Sequence, residues 1–237
     1  MYRYLFFDAD GTLFDFLQAE RNAMIAMGKT LGLAIGEREL SLYSAANLAA
    51  WRRFERGELG FEELKISRFE AFSTSSGLAL NPAEASEHYE AALAGEGILY
   101  PESVAILQTL IARGYTLYLA TNGLAAVQRG RIKAAGIGQY FTDIFISEEM
   151  GTKKPDTEFF TMILRRAGIS EEKEACLMIG DTLGSDIAGG IASGIDTLWI
   201  NTDQSSSGAL KPTYTITLLG EMLDLLPPLA DRVELDL

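Results

Sequence analysis

Asp8 and Asp10 stand two residues apart, directly after the apolar run Tyr4 to Phe7 and directly before Gly11. The run is aromatic and branched, and it reads as a buried strand. Carboxylates at the C-terminal end of a buried parallel strand lie where open α/β sheets bind their ligands. Gly11 permits a sharp turn there and leaves main-chain amides free to meet an anion. An isolated Asp-x-Asp reads more simply as a strand end that caps a turn. The full run Asp8-Ala9-Asp10-Gly11-Thr12 fixes four positions, a chance match of roughly one in a thousand in this length, which favours chemistry over capping.

Three later points carry compatible chemistry. Thr121, after the β-rich run Tyr115 to Ala120, offers a hydroxyl to an anionic oxygen, with the Asn122 amide beside it. Helix capping explains Thr121 equally well, and a helix N-terminus attracts phosphate in any case. Lys154 precedes Pro155 just ahead of a predicted helix, and the proline holds it extended, so that its side chain can be aimed. Without context, a solvated Lys153-Lys154 pair is the simpler reading. Asp181 and Asp186 follow the apolar strand Ala175 to Ile179, and two carboxylates in a strand-to-helix turn suit an oxygen-ligated hard cation, Mg²⁺ above others. Capping by Asp181 is the plain alternative.

The elements that must position these groups divide the chain. From Phe16 to about Gly97 apolar residues recur at helical spacing, including Leu17, Met24, Leu31, Tyr43, Trp51, Leu64, Phe69 and Tyr89. Breaks at Gly32, Gly36, Gly57, Gly60, Gly77 and Asn81-Pro82 cut this stretch into about four helices, with no strand signal. From Tyr100 onward strand and helix alternate, which calls for a parallel sheet with helices on both faces. The expected fold is therefore an α/β core, residues 1–15 and 98–237, with an all-helical insertion at 16–97 over the strand end.

Bulk properties narrow the partners. The 237 residues are 48% hydrophobic and 22% charged, the composition of an ordinary globular protein, and the net charge of −13 argues against a nucleic-acid polymer or an anionic membrane as partner. A small phosphorylated substrate then needs positive charge supplied locally, by a metal or a lysine. One cysteine, Cys176, allows no internal disulfide and reads as a small buried hydrophobe; one histidine, His88, reads as a surface residue. With no basic-then-apolar leader and no apolar run of membrane-spanning length, a reducing cytoplasm is the expectation.

In this order, after four successive core strands, the four groups resemble the motifs of the haloacid dehalogenase superfamily. Asp8 to Thr12 resembles its first motif, Thr121 its second, Lys154 its third, and Gly180-Asp181 through Asp186 its fourth. The resemblance implies a Rossmann-like doubly wound core with an inserted helical cap. It also implies that Asp8 attacks phosphorus and becomes an aspartyl-phosphate, while Asp10 serves as acid and then base. Asp8, Asp10 through its main-chain carbonyl, and Asp181 would ligate Mg²⁺; Thr121, Asn122 and Lys154 would hold the phosphoryl oxygens; Asp186 would orient metal waters or Lys154.

An acid at position 10 favours phosphoryl chemistry over dehalogenation, because halide departs without a proton. A narrower resemblance is to the bacterial pyrimidine 5′-nucleotidases of the superfamily. It rests on Phe6 to Asp10 with Leu13-Phe14, Thr121 to Gly123, Ile146 to Glu149 ahead of Gly151, and Gly180 to Thr182 with Ser185-Asp186. It implies a nucleoside monophosphate substrate. Phosphoglycolate or sugar-phosphate hydrolysis and a β-phosphoglucomutase-like reaction are the alternatives. A catalytically silent binding module would have lost Asp8, Asp10, Lys154 or Asp181, and all four are present.

Overall fold

The computed structural model describes residues 1–229; the last eight residues of the expected core lie outside them. Six strands form one sheet: β1 (Tyr4–Phe7), β2 (Thr116–Thr121), β3 (Asp143–Ile146), β4 (Cys176–Gly180), β5 (Asp196–Ile200) and β6 (Tyr214–Ile216). Their order is β3-β2-β1-β4-β5-β6, and every pairing is parallel. The chain winds outward from β1 to β3, then returns to the other side of β1. The strand order therefore reverses between β1 and β4, and a crevice opens beyond their C-terminal ends. The register aligns Phe7 with Leu119 on one side and Ile179 on the other, so Asp8, Ala120 and Gly180 end level.

Alternation along β1 serves two cores. Leu5 and Phe7 join Leu117, Leu119, Leu177 and Ile179 on one face, under α5 (Ser103–Ala112) and α10 (Met222–Leu225). Phe6 joins Tyr118 and Met178 on the other, under Phe159, Phe160 and Ile163 of α8 (Thr157–Arg166). Cys176 lies in that second core, buried as expected. Strands covered on both faces have no polar face to show, which is why they read as continuous apolar runs.

Between β1 and α5 the chain forms four helices: α1 (Phe16–Leu31), α2 (Glu37–Glu55), α3 (Phe61–Ser76) and α4 (Pro82–Ala94). Asp15 caps α1 through its side chain, which accepts from Gln18 N at 3.1 Å, and Asn81 caps α4 with Pro82 in the first turn. The helices enclose their own core of Met24, Met27, Tyr43, Phe69, Phe72 and Tyr89, completed by Leu124 and Val127 at the start of α6 (Ala125–Ala135). The two chain segments that join them to the sheet are laced together. Asp15 N donates to Ile98 O at 3.1 Å, and Tyr100 N donates to Leu13 O at 3.0 Å. His88 is half-buried rather than on the open surface. No helix among the described residues is long and apolar enough to cross a membrane.

One boundary differs from the sequence reading, and two helices are irregular or short. β2 includes Thr121, and Leu124, not Thr121, occupies the N-cap of α6. The helix after β4 begins as a π-helical turn, Leu183–Ile187, before α9 (Ala188–Ala192); such turns concentrate at functional sites. The last helix among the described residues, α10, is only one turn long.

Candidate active site

The ends of β1, β2 and β4, with the loop before α8, bring the expected residues to one place. Lys154 is 1% exposed, and its ammonium donates to Asp8 Oδ1 at 2.6 Å, Asp186 Oδ1 at 2.7 Å and Ala120 O at 2.7 Å. All three ammonium donors are thereby used, an arrangement that fixes a flexible side chain as a point charge. The loop is held by Asn122, whose Oδ1 accepts from Lys154 N at 2.9 Å and whose Nδ2 donates to Lys154 O at 2.8 Å. The Asn122 amide was expected to face phosphate beside Thr121; it is instead committed to the Lys154 main chain.

Carboxylate oxygens of Asp8, Asp181 and Asp186 lie within 4.8 Å of one another. Two glycines make this crowding possible. Gly11 adopts φ +80°, and a Cβ there would overlap the Asp181 carboxylate; a Cβ on Gly180 would overlap that of Asp186. Burial, then the neighbouring Asp186 charge, pushes the Asp181 carboxyl up to about 7. Burial likewise raises Asp8 well above the usual carboxylate range against the pull of Lys154, with Asp186 and Asp181 adding to the rise. Burial works against the Lys154 charge, but Asp186 and Asp8 outweigh it and raise its pKa. An oxygen-only donor set carrying more negative charge than one lysine offsets is chemically suited to a hard divalent cation. Asp186 is already held twice, by Lys154 and by Thr182 N at 3.0 Å, whereas Asp181 is anchored through its main chain, its carbonyl accepting from the Trp199 indole at 2.8 Å.

Asp10 stands apart from that cluster. Its carboxylate pairs with Arg131 and accepts from Gln128 Nε2 at 2.7 Å, both on α6. Gln128 Nε2 also reaches Thr121 Oγ1 at 3.2 Å, and Thr121 is 1% exposed. The Asp10 side chain thus adds nothing to the metal-suited group, leaving its main-chain carbonyl as the atom expected to contribute.

A cavity of about 790 Å³ opens above these residues. Asp8, Asp10, Lys154 and Asp181 form its floor, and Phe16, Asn47, Trp51, Arg52, Glu55 and Tyr89 of α1, α2 and α4 form part of its walls. Thr121 and Asp186 lie buried behind the floor. Side-chain contacts also join the helices to the sheet side: Lys65 of α3 pairs with Glu148 at 3.4 Å, and the Lys153 ammonium lies 5.3 Å from the Phe54 ring centroid. Glu55, at the end of α2, lines the same cavity, and burial, then the Asp186 charge, raises its carboxyl. Gln128, Arg131, Glu55 and Trp199 were not singled out from sequence. Arg129 and Arg131 look alike there, yet the first is exposed and the second is 0% exposed.

Comparison with known proteins agrees with this geometry. A family model described as haloacid dehalogenase-like hydrolase matches residues 2–194. The chain is 37% identical to the pyrimidine 5′-nucleotidase PynA of Streptococcus pneumoniae over 227 residues, 95% of each chain. It is 32% identical to the pyrimidine 5′-nucleotidase YjjG of Escherichia coli, over 94% of this chain and 97% of the relative. Among solved structures, the HAD-hydrolase YfnB of Bacillus subtilis, bound to magnesium, superposes with a TM-score of 0.88 at 32% identity, covering 95% of this chain and 98% of that one.

Proposed function

The chain belongs to the haloacid dehalogenase-like hydrolase family, and from that membership we propose a Mg²⁺-dependent 5′-nucleotidase that hydrolyses pyrimidine nucleoside monophosphates through an aspartyl-phosphate. The observation that carries the reading is the convergence of Asp8, Lys154 and Asp181 at the floor of one cavity, with Asp186 buried behind them, where the strand order reverses. The two nucleotidase relatives, matched over nearly the whole chain, support the substrate class. They also make the chain a phosphoric monoester hydrolase at the coarser level.

In this reading an Asp8 carboxylate oxygen forms a bond to phosphorus as the bond to the leaving oxygen breaks. Asp10 gives that oxygen a proton. Water then attacks phosphorus, Asp10 takes its proton, and the bond between Asp8 and phosphorus breaks to release inorganic phosphate. Lys154 holds Asp8 and counters the charge on the phosphoryl oxygens, and Thr121 offers a hydroxyl from the strand end. Asp8 and Asp181, with the Asp10 carbonyl, would hold Mg²⁺, and Asp186 would fix Lys154 beside them. The bound ion would supply charge neutralisation that lets an anionic ester approach an anionic nucleophile.

Residues 1–15 and 98–237 form the catalytic unit in this reading, and 16–97 form the cap that selects the substrate. The aromatic walls Phe16, Trp51 and Tyr89 suit a planar base. The test is turnover of 4-nitrophenyl phosphate with Mg²⁺, followed by a panel of nucleoside monophosphates, phosphoglycolate, sugar phosphates and β-glucose 1-phosphate. Absence of turnover with any divalent metal refutes the phosphatase mechanism. Preference for a non-nucleotide refutes the substrate class alone.

A further inference from the structure

Asp10 is held by two buried side chains of a helix that contributes no other expected site residue. Gln128 and Arg131 lie three apart on α6, so they share a face, and that face is turned toward the end of β1. Arg131 is 0% exposed and Gln128 2%, while the Asp10 side chain they grip is 26% exposed and lies at the cavity. Each Asp10 oxygen has its own donor: Oδ1 takes Arg131 Nη1, and Oδ2 takes Gln128 Nε2 at 2.7 Å.

Arg131 is itself fixed. Its guanidinium lies 4.6 Å from the Phe14 ring centroid and 5.6 Å from that of Phe16, and its Nε donates to Glu96 O at 3.2 Å. Phe14 and Phe16 belong to the segment that leaves the sheet for the four helices, and Glu96 belongs to the one that returns. Burying an arginine is costly unless its donors and its face are used: here Nη1 goes to Asp10, Nε to Glu96 O and the guanidinium plane lies beside Phe14, while Nη2 has no protein partner among the described residues. A bare stability role would be served as well by apolar groups of the same volume.

We propose that Arg131, together with Gln128, is a positioning residue that sets the aim of the Asp10 carboxylate from the junction between the helical insertion and the sheet. The inference rests on the assignment of Asp10 as acid and base. It deepens that assignment by naming what holds the acid in place.

Two substrates of similar shape test it. Phenyl phosphate leaves as a strongly basic phenoxide and needs a proton; 4-nitrophenyl phosphate leaves as a stable phenolate and does not. Values of kcat/KM with Mg²⁺ are compared for the wild type, Arg131→Met, Arg131→Lys and Gln128→Met. Misaiming the acid predicts that Arg131→Met loses about tenfold more activity on phenyl phosphate than on the nitrophenyl ester, with partial recovery in Arg131→Lys. Gln128→Met, which keeps the volume and removes one donor, shows a smaller loss of the same sign. It carries the comparison if Arg131→Met does not fold. Equal proportional losses on the two esters would mean a merely structural role and overturn the inference while leaving the phosphatase reading intact. A wild type that cleaves neither ester overturns both.

Discussion

The Trp199 indole N–H donates to the main-chain carbonyl of Asp181 at 2.8 Å. Trp199 is the cross-strand partner of Gly180, so a side chain of β5 reaches over the end of β4 and pins the residue that follows it. The carbonyl end of Asp181 is thereby fixed while its carboxylate turns toward Asp8 and Asp186. Groups that orient a metal ligand from behind typically matter about 10- to 100-fold in affinity. Trp199→Phe keeps an aromatic ring, though a smaller one, and removes the donor, so it should weaken Mg²⁺ binding by roughly tenfold with little change in fold. Calorimetric titration of the metal-free protein checks this; an unchanged affinity would detach Trp199 from the site.

In the proposed mechanism, replacing Asp8 by Asn removes the nucleophile while nearly preserving shape and keeping an acceptor for Lys154. Turnover of 4-nitrophenyl phosphate should fall by about 10³-fold or more, with the circular dichroism spectrum unchanged. Substantial surviving turnover would refute the nucleophile assignment, because neither Asp181 nor Asp186 can replace an attacking oxygen at the end of β1.

Lys154 sits between Asp8 and Asp186 with almost no access to water, at 2.6 and 2.7 Å. Truncating one member of a buried ion pair leaves its partners without compensation, a loss of about 3–5 kcal/mol. Lys154→Met should therefore destabilise the metal-free protein by that order, read by urea denaturation. Adding Asp186→Asn to it should recover part of the loss, since one of the two stranded charges is then gone. A double variant no more stable than Lys154→Met would show that packing, not charge, sets the cost.

How much of this was legible in sequence follows from how local each signal is. β1 and β4 are buried on both faces and announce themselves as apolar runs, and the glycines and the Asn81-Pro82 pair mark the helix ends because caps act within a turn. Asp8, Asp181 and Asp186 could be proposed because each follows such a run, and Lys154 because Pro155 stands after it just ahead of a helix. What joins them is not local. The Asn122 amide faces Lys154, 32 residues away in sequence, and Arg131 meets Asp10 across 121. Nothing in the neighbourhood of Arg131 separates it from the solvent-exposed Arg129, since only the packing of α6 against the end of β1 decides which arginine is buried. For Thr121 the capping alternative falls only in the fold, where it ends β2 and Leu124 takes the N-cap: a cap and a strand end look alike until the ladder beside them is known.

The Asp181 carboxyl gives the site a pH signature that needs no substrate. Burial, then Asp186, raises it from an ordinary 3.8 to about 7 in the folded chain. A carboxyl raised in this way favours the folded state below pH 3.8 relative to high pH, because folding then strips no charge from water. As pH climbs from about 4 to about 7, the unfolded chain releases its proton freely while the folded chain does not. Stability therefore falls across that window, by at most about 4 kcal/mol for this group alone. The raised Asp8 pushes in the same direction. Mg²⁺ bound as proposed would reverse the trend, since it needs the carboxylates ionised and neutralises the charge that burial penalises. The melting temperature of the metal-free protein should accordingly drop between pH 4 and pH 7, less so in Asp181→Asn. The rise on adding Mg²⁺ should be larger at pH 8 than at pH 5. An Mg²⁺-induced shift equal at both values would show that the ion does not bind through these buried carboxylates.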